Sequence, residues 1–377
     1  MVKLSEVAPA KPLKTDKYSG EDHILHITLD NIESETGSLL KRNYAPVNEA
    51  GNSTHWFNSS HVLYSKLRPY LNKVYLPDET GIGTTELVPM LPNEKVLDRR
   101  YLAYFLRSKN FVDWVTLQTA GAKMPRVSMK VFWDHEIPLP PMTEQKRIAA
   151  ILDKADAIRR KRQQAIQLAD DFLRAVFLDM FGPSVDREGW KPVSFSDVTV
   201  IDAPMVDPRD EPYLDMLHIG PDRIEKNTGR LLPALTARDE QLISKKFLFD
   251  NSYILYSKIR PYLRKVALPE FVGLCSADMY PIKPIEGKLT REYLWKMLLS
   301  DEFTQYTETL PSRANIPKLN RKELANYQFR LPPISLQKKF SDIFSQFSKA
   351  FEKDMNGEKK SVKIFNSLSQ KAFKGLL

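Results

Sequence analysis

The sequence is poor in residues that build covalent or metal-bound cross-links. Its 377 residues include one cysteine, Cys275, so no internal disulfide can form and no zinc site built on several cysteines is possible. The opening residues MVKLSEVAPAKPLK lack the apolar core of a secretory signal, and no apolar run approaches the ~20 residues that cross a bilayer. We therefore expect a soluble protein of the reducing cytoplasm.

Sequence signatures of catalysis are also missing. The chain has no G-x-x-x-x-G-K-[ST] phosphate loop and no glycine-rich dinucleotide fingerprint, and none of its six histidines forms an HExxH zinc motif. The prolines of LPPM and LPPI lack the flanking residues of an amino-methyltransferase motif, and no carboxylate–lysine set suits a nuclease. These absences favour a binding protein over an enzyme, and we predict neither a catalytic residue nor a bound metal.

The charge balance favours a polyanionic partner. Lysine and arginine number 56 against 47 aspartate and glutamate residues, which leaves a formal charge of +9 and an isoelectric point near 9.2. A positive field of this kind attracts nucleic acid, although many basic proteins never bind it. The charge alone therefore leaves the partner open.

An internal repeat is the most informative feature of the sequence. The phrase YSKLRPYLNKV (Tyr64–Val74) returns as YSKIRPYLRKV (Tyr256–Val266), a shift of 192 positions. The same shift carries PLPPMTEQKRI (Pro138–Ile148) onto RLPPISLQKKF (Arg330–Phe340). A period of this length is too long for a solenoid, so the chain is a duplication of a domain-sized unit.

Each copy has the same order of predicted elements. A strand-rich part comes first, helical stretches follow at Asp98–Thr116 and Thr290–Glu308, and a proline-rich break precedes one long helix. We therefore predict an α+β fold with two tandem β-rich domains, small helices and two long helices. The predicted boundaries are 1–142 for the first β-rich domain, 143–181 for the central helix, 182–334 for the second β-rich domain and 335–377 for the C-terminal helix.

Apolar residues at alternating spacings of four and three along the long helices predict helix pairing. We expect the two helices to form a coiled coil. If they pair antiparallel, the β-rich domains would lie at opposite ends, related by a pseudo-twofold axis. Packing of each helix on its own domain is the alternative, but a helix of about ten turns overhangs a domain of ~140 residues. The residues predicted to pair are Ile151, Ile158 and Phe172 on the first helix and Ile343, Phe347 and Ile364 on the second.

The repeated phrase is itself a candidate contact to nucleic acid. On a strand, Tyr64, Lys66 and Arg68 would share one face, which suits contacts to phosphates, while the alternate residues face the core. A solvated strand face would have the same pattern. The candidates for DNA-backbone contact or framework are Tyr64, Lys66, Arg68, Tyr70 and Lys73 in the first copy and Tyr256, Lys258, Arg260, Tyr262 and Lys265 in the second.

Both copies resemble a known family. The segments HIGPDRIEKNTGRLL, ILYSKIRPYLRKV and AGAKMPRVSMKVFWDHEIPLPPMTEQKRIAAIL resemble the specificity subunit of type I restriction-modification systems, and the resemblance covers essentially the whole chain. It implies two target-recognition domains that read a bipartite site in double-stranded DNA, each followed by a long helix, with the two long helices paired antiparallel. It also implies two methylation (M) subunits that use S-adenosylmethionine and two restriction (R) subunits that use ATP and Mg, so that no cofactor binds to this chain.

Differences between the copies indicate where bases are read. The two halves of a bipartite site usually differ, so residues identical in both copies cannot explain the difference. The divergent segments are 41–60 against 233–252 and Gln118–Arg126 against Leu310–Lys318, where polar side chains suit base edges or are simply solvated. The candidate base readers are Arg42, Asn43, Asn52, His55, Lys123, Arg126, Arg238, Gln241, Lys245, Lys246, Arg313, Asn315 and Lys318.

Two other functions stay open at the level of sequence. A nuclease or methyltransferase with an unrecognised site would act on DNA without partners. An adaptor that docks partner proteins would show no salt-sensitive binding to DNA.

Overall fold

The structure, a computed structural model, describes residues 1–121, 123–311 and 317–377, without the side chains of 351–356, 358 and 359. By its internal contacts the chain divides into two units. Unit 1 comprises Met1–Gln163 and Asn356–Leu377, and unit 2 comprises Gln164–Met355. Each unit therefore contains one β-rich copy of the repeat together with segments of both long helices.

Unit 1 is built from short strands and short helices that precede the first long helix. Its strands are β1 (Val2–Lys3), β2 (His23–Ile27), β3 (Asn43–Pro46), β4 (Thr54–Phe57), β5 (Val62–Ser65), β6 (Val74–Tyr75), β7 (Gly81–Thr84), β8 (Leu87–Met90), β9 (Thr119–Ala120), β10 (Arg126–Val127) and β11 (Glu136–Ile137). The helices are α1 (Leu4–Val7), α2 (Arg99–Arg107), α3 (Lys109–Leu117), α4 (Met129–Asp134) and the first part of the long α5 (Met142–Phe181), which continues into unit 2 from Gln164.

Unit 2 repeats this order. Its strands are β12 (Lys191–Ser194), β13 (Thr199–Val200), β14 (Met205–Val206), β15 (His218–Ile219), β16 (Lys246–Phe249), β17 (Ile254–Ser257), β18 (Val266–Ala267), β19 (Gly273–Cys275), β20 (Met279–Pro284) and β21 (Gln328–Leu331). The helices are α6 (Phe195–Val198), α7 (Arg291–Leu298), α8 (Asp301–Glu308), α9 (Arg321–Ala325) and the long α10 (Ile334–Phe373).

An inner sheet separates two apolar cores in unit 1. The outer sheet has the order β3-β2-β7-β4, with β2 parallel to β7, and the inner sheet has the order β6-β5-β8. Leu63 of β5 packs in one core with Leu25 and Phe57 of the outer sheet, whereas Val62 and Tyr64 pack in the other core with the helices. The unit therefore has three layers, and its inner strand β5 is buried on both faces.

Unit 2 has the same layers. Its outer sheet is β14-β16-β19-β15 and its inner sheet is β13-β20-β17-β18. Leu255 of β17 packs with Ile219 and Phe249, while Ile254 and Tyr256 pack on the helical side. The predicted α+β fold with two tandem β-rich copies is confirmed.

The two long helices are in register with the repeat. Each has 40 residues, and α10 begins and ends 192 positions after α5 does. The duplication therefore extends to the ends of both helices, beyond the region where the sequences are visibly alike. None of the helices in the described part of the chain is apolar over a length that could span a bilayer.

Within unit 1, the segments of α5 and α10 run antiparallel. The Arg147 guanidinium donates to the carbonyl oxygen of Leu377 at 3.0 Å, and Arg162 donates to the carbonyl oxygen of Gly357. The residue numbers of the contacts therefore decrease along α10 as they increase along α5, so the two segments run in opposite directions. Ile151, one of the predicted pairing residues, is half-buried in this unit.

Within unit 2, the two helix segments are also antiparallel. Phe172 stacks on Phe347 with ring centroids 5.0 Å apart, and Phe177 meets Phe340 edge-on at 5.4 Å. Ile343 between the two α10 aromatics is half-buried. The predicted antiparallel pairing of the long helices is confirmed in both units.

The buried stripe on these helices lies one residue after the predicted seam. Ile158 is 50% exposed and Ile364 is 46% exposed, so neither lies in the buried stripe to which the apolar spacing assigned it. Their following neighbours Arg159 and Phe365 are buried instead, with the guanidinium 5.2 Å from the ring centroid. Arg159 also donates to buried Asp156 at 2.6 Å, so a paired cation and carboxylate occupy places that hydrophobicity assigns to isoleucine.

A fully buried glutamine fixes α5 to the globular part of unit 1. The amide nitrogen of Gln145 donates to the carbonyl oxygens of Val96 and Pro140, both at 2.8 Å. Its amide oxygen accepts from the backbone nitrogen of Asp98 at 2.9 Å. Asp98 is the N-cap of α2, so one side chain joins the starts of two helices.

Gln337 makes the same connection in unit 2. Its amide nitrogen donates to the carbonyl oxygens of Lys288 at 3.1 Å and Pro332 at 2.9 Å, and its amide oxygen accepts from the backbone nitrogen of Thr290 at 2.9 Å. Thr290 is the N-cap of α7. The EQK and LQK segments of the repeat therefore carry a structural glutamine.

Replacing Gln145 with alanine is expected to lower the free energy of unfolding by about 2–4 kcal/mol, because three hydrogen bonds are lost and buried backbone groups stay unpaired. Urea titration followed by circular dichroism measures this change. Gln163→Ala removes an exposed glutamine from the same helix and is the matched control, with an expected change below about 0.5 kcal/mol. Equal effects of the two changes would contradict the structural role.

Candidate nucleic-acid interface

The repeated phrase ends in a strained turn that projects an arginine. Strand β5 ends at Ser65, Arg68 has a left-handed φ of 49°, Pro69–Leu71 forms one turn of 3-10 helix, and Asn72 at φ 50° closes it. A non-glycine residue in this region costs about 1–2 kcal/mol. Two such residues in one short turn require strong support from their surroundings.

The same turn recurs in unit 2. Arg260 has a φ of 51°, Pro261–Leu263 forms the 3-10 turn, and Arg264 at φ 48° closes it. Both copies therefore retain the same unfavourable backbone, although other segments have diverged. Retention of strain in two copies indicates that the position of the turn matters for what the protein does.

Main-chain contacts hold each turn against a divergent segment. The backbone nitrogen of Arg68 donates to the carbonyl oxygen of Pro125 at 2.8 Å, and that of Arg260 donates to Pro317 at 2.8 Å. The side chain of Asn72 adds a bond to the last residue of α2. A segment that differs between the copies is thus fixed directly to a turn whose backbone conformation is the same in both.

A repeated glycine lets a second turn approach the end of the phrase. Gly37 has a φ of 67° and Gly229 a φ of 72°. A Cβ atom would lie 2.0 Å from the carbonyl oxygen of Val74 in the first case and 2.2 Å from that of Val266 in the second. Only glycine satisfies both the backbone angle and this close approach.

Lys73 and Lys265, near the end of the repeated phrase, bind main-chain atoms of the protein itself. The Lys73 ammonium donates to the carbonyl oxygen of Leu29 at 2.7 Å, and the Lys265 ammonium donates to that of Pro221 at 2.6 Å. Both side chains are half-buried. This geometry does not suit contact of the two lysines with phosphate. It suits their alternative role as framework residues.

The two tyrosines that open the phrase are buried. Tyr64 is 3% exposed and Tyr256 is 1% exposed, and neither hydroxyl has a hydrogen-bond partner among the described residues. Burial raises the pKa of both phenols. Contact of these tyrosines with DNA does not fit this geometry, because the inner strand is covered on both faces. Their alternative role as framework residues does fit it.

Exposed charge and aromatic surface are found on the turn itself. Arg68 and Arg260 are exposed, and within the described ranges neither guanidinium has a carboxylate partner. Tyr70 is 48% exposed and Tyr262 is 49% exposed. An uncompensated cation beside an exposed phenol is suited to a phosphate, which accepts hydrogen bonds from both.

The lysine between strand and turn differs between the units. Lys258 donates to the carbonyl oxygen of Ala277 at 2.6 Å and lies 3.7 Å from the Asp278 carboxylate. Lys66 is half-buried near His55, and its positive charge, after burial, lowers the pKa of that imidazole. The closeness of His55 brings the other divergent segment of unit 1 to the turn.

Glu86 gathers the divergent segments of unit 1. Its backbone oxygen accepts from the amide of Lys66 at 3.0 Å, and its carboxylate binds the Arg126 guanidinium at 3.0 Å. The neighbouring Thr85 donates its backbone N–H to the carbonyl oxygen of Ser53 at 3.1 Å. Both divergent segments of unit 1 therefore meet beside the turn.

Sequence reasoning missed Glu86, its counterpart Asp278, and the prolines at 125 and 317 that anchor the turn. A signal was present, since the 192-residue shift relates two acidic residues and two prolines. Acidic side chains repel phosphates, so they were not among the predicted DNA contacts. An acid here organises the arginine and lysine side chains rather than meeting the ligand.

The other candidates of unit 1 are at or near the surface. Arg42 pairs with the carboxylates of Asp78, at 2.5 Å, and Glu79, which lie outside both divergent segments. This pairing neutralises the guanidinium but leaves its side chain 42% exposed. The fully exposed candidates are Asn43, Asn52 and Lys123.

One candidate of unit 2 is contradicted. Lys246 is 7% exposed, and its ammonium donates to the carbonyl oxygen of Ser244 at 2.9 Å and to its hydroxyl at 2.5 Å, so this lysine cannot read a base. Arg238 pairs with Asp215 at 3.0 Å on the surface. The exposed candidates are Gln241, Lys245 and Lys318, whereas Arg313 and Asn315 lie outside the described residues.

The chemistry of this surface is that of binding. It offers cations, amides and phenols, and no three His, Cys, Asp or Glu side chains in the described ranges are placed to hold a metal ion. The Cys275 thiol is fully buried, and burial raises its pKa, which disfavours the nucleophilic thiolate. The arrangement therefore suits recognition of an anionic polymer.

Replacement of Tyr64 or Tyr256 by phenylalanine is expected to leave stability unchanged or raise it by up to about 1 kcal/mol, because a buried hydroxyl without a partner is removed. Tyr104→Phe is the control: its hydroxyl donates to Asp153 at 2.7 Å, and its loss is expected to cost about 1 kcal/mol. Urea unfolding measures all three. A loss at Tyr64 equal to that at Tyr104 would show that its hydroxyl has an unrecognised partner.

Comparison with known proteins identifies relatives that match both copies. A family model for the type I restriction modification DNA specificity domain matches residues 50–168 and 188–362. The type I restriction enzyme EcoDI specificity subunit of Escherichia coli is 27% identical over 361 residues, covering 85% of this chain and 79% of the relative. The MjaVIII specificity subunit of Methanocaldococcus jannaschii is 24% identical over 315 residues, covering 76% and 73%.

A solved structure has the same fold. The crystal structure of a type I restriction-modification system S subunit from M. genitalium superposes with a TM-score of 0.58 at 12% identity, and the match covers 98% of this chain and 95% of that one. At this identity the likeness establishes architecture alone. Each of the two stretches matched by the family model contains one of the strained turns.

Proposed function

Because this chain belongs to the family of type I restriction-modification DNA specificity proteins, we propose that it selects the DNA sequence by reading one half of a bipartite site with each unit. One observation carries this proposal. In both units a turn with the same backbone conformation and the same exposed arginine and tyrosine is fixed by main-chain bonds to a segment that differs between the units. In each unit, a contact that is common to both copies of the repeat (the constant contact) therefore lies beside a contact that differs between the copies (the variable contact).

The constant contact is the grip on the DNA backbone. Phosphates are the same at every sequence, so a residue that binds them has no reason to diverge between two half-sites. Arg68 and Arg260 are exposed, without a carboxylate partner in the described ranges, and held in place by strained backbone. A preorganised cation loses little conformational freedom when it binds.

The variable contact reads base edges. Unit 1 places His55 and Arg126 beside the turn, and unit 2 has Phe247 and Lys318 at the same repeat positions. Exchange of an imidazole for a phenyl ring and of a guanidinium for an ammonium changes the hydrogen bonds offered to a base pair. Two such surfaces would select different half-sites.

Catalysis belongs to other subunits in this family. Proteins of this family associate with DNA and with the methylation and restriction subunits of the system, and the specificity subunit itself is non-catalytic. For this chain we propose two methylation and two restriction subunits per complex. S-adenosylmethionine, ATP and Mg²⁺ would bind to those partners.

Exchange of residues 1–142 for the same region of another family member is expected to change one half of the recognised site and leave the other half and the gap intact. Methylome sequencing of cells that express the chimera with the methylation subunit gives the result directly. Exchange of 182–334 is the reciprocal control and should change only the other half. A change in both halves, or in neither, would refute the assignment of one unit to each half-site.

Arg68→Ala and Arg260→Ala are each expected to weaken DNA binding by a similar factor on every sequence, and to reduce the slope of log affinity against log salt by about 1. Fluorescence anisotropy with the methylation complex, on cognate and non-cognate duplexes at several salt concentrations, measures both quantities. Arg147→Ala removes an exposed arginine from α5 and is the matched control, expected to leave affinity and slope unchanged.

Two results would overturn the phosphate role of these arginines. A loss confined to cognate DNA, with normal non-cognate affinity, would identify Arg68 or Arg260 as a base reader. An unchanged salt slope would place the side chain outside the interface.

A further inference from the structure

The duplication creates two equivalent grooves, one in each unit. The groove of unit 1 has a volume of about 530 Å³, and that of unit 2 has about 250 Å³. Lining positions correspond through the 192-residue shift, among them Asn110 with Glu302, His135 with Tyr327, and Phe373 with Phe181. The two grooves thus have a common origin but differ in what fills them.

The chain itself occupies part of the groove of unit 2 and lines the remainder. After α5 ends at Phe181, the following segment places Trp190, 9% exposed, with its ring centroid 6.3 Å from that of Phe181. Arg187 lies against the Trp190 ring at 6.0 Å and binds the Glu302 carboxylate at 3.0 Å. Arg330 donates to the Trp190 carbonyl oxygen at 3.2 Å. An arginine and a tryptophan three residues apart therefore act together as a plug.

The groove of unit 1 has no such plug among the described residues. Its walls are aromatic: Trp114 and His135 are in tilted contact with ring centroids 3.8 Å apart, and Phe105 and Phe373 meet edge-on at 5.3 Å. Val131 on its rim is 37% exposed. Aromatic walls of this kind gain free energy when an apolar side chain displaces water from between them.

Charge at the rim suits a cation. Asp134 and Glu136 line the unit 1 groove, and both are exposed. Lys3 pairs with Asp134 at 2.8 Å, so one carboxylate already has a counter-ion. The Glu302 position, which holds the arginine of the plug in unit 2, is Asn110 in unit 1. The unit 1 groove therefore combines an aromatic cleft with acidic groups at its edge.

We propose that the groove of unit 1 binds a segment of a partner protein that presents a tryptophan with an arginine three residues before it. The equivalent groove shows what fits: an indole against the phenylalanine at the helix end, and a guanidinium at the rim. A second copy of this chain is excluded as donor, because its own Trp190 is already buried. One such segment binds per chain, since the groove of unit 2 is occupied.

A ten-residue peptide with the sequence Gly182–Lys191, GPSVDREGWK, is the probe. Isothermal titration of the full chain with this peptide is expected to show saturable binding at one site. The same peptide carrying Trp190→Ala is expected to bind at least about tenfold more weakly, because the indole supplies most of the buried apolar surface. The experiment contains no DNA and no methylation subunit, so its outcome is independent of the proposed function.

Asn110→Glu in the full chain is the decisive variant. It restores in unit 1 the carboxylate that Glu302 provides in unit 2, and is expected to tighten peptide binding by about three- to tenfold. Ser59→Glu adds the same charge at an exposed position outside the groove and is the matched control, expected to leave affinity unchanged. Hydrogen exchange should show protection at 105–114 and 131–138.

Three outcomes would overturn the proposal. Absence of saturable binding to both the natural chain and Asn110→Glu would show that the groove does not take this segment. Equal gains from Asn110→Glu and Ser59→Glu would reduce the effect to general charge attraction. Protection at 297–306 and 323–330 instead would mean that the peptide displaces the plug of unit 2 and leaves the unit 1 groove empty.

Discussion

Burial of the inner strand on both faces determines where the repeated phrase can meet a ligand. Leu63 packs in one core and Tyr64 in the other, so nothing on β5 is left for solvent. Polar residues of the phrase can reach the surface only after the strand has ended. The left-handed backbone at Arg68 turns the chain there, and contacts to Pro125 hold it. The strain of the turn is thus a consequence of the layered fold, offset by hydrogen bonds on either side.

Some polar groups inside the protein are the same in both copies of the repeat, and others differ between the copies. Gln145 and Gln337 make the same three hydrogen bonds to main-chain atoms, and a backbone partner cannot be changed by substitution. Charged pairs are freer. α5 uses buried Asp156 against Arg159 in unit 1, whereas in unit 2 its half-buried Asp170 lies 3.3 Å from Arg230. Such pairs add little net stability, and each unit has its own.

Sequence predicted the duplication, the α+β fold and the pairing of the long helices, because a 192-residue shift and a long apolar periodicity extend over many residues. The antiparallel direction of the helices came from the resemblance to a known family. Single positions were less predictable. Alternation cannot distinguish a strand with one wet face from a strand between two cores, so Tyr64 was assigned to the wrong environment. Ile158 was expected to be buried but is exposed, because Arg159, paired with Asp156, takes the buried position. Burial of a charge depends on a partner that local pattern does not reveal.

A duplicated chain can separate a requirement shared by both copies from one that each copy meets alone. Contacts to main-chain atoms and to phosphates are shared, so the turn, the glutamine and the glycine at Gly37 and Gly229 persist. Contacts to bases are not shared, and the segments anchored at Pro125 and Pro317 diverge. The two grooves at the helix ends are a further place where the copies differ. Unit 2 lines its groove with the segment that links the copies, and no such segment lies in the unit 1 groove among the described residues, so the two grooves differ.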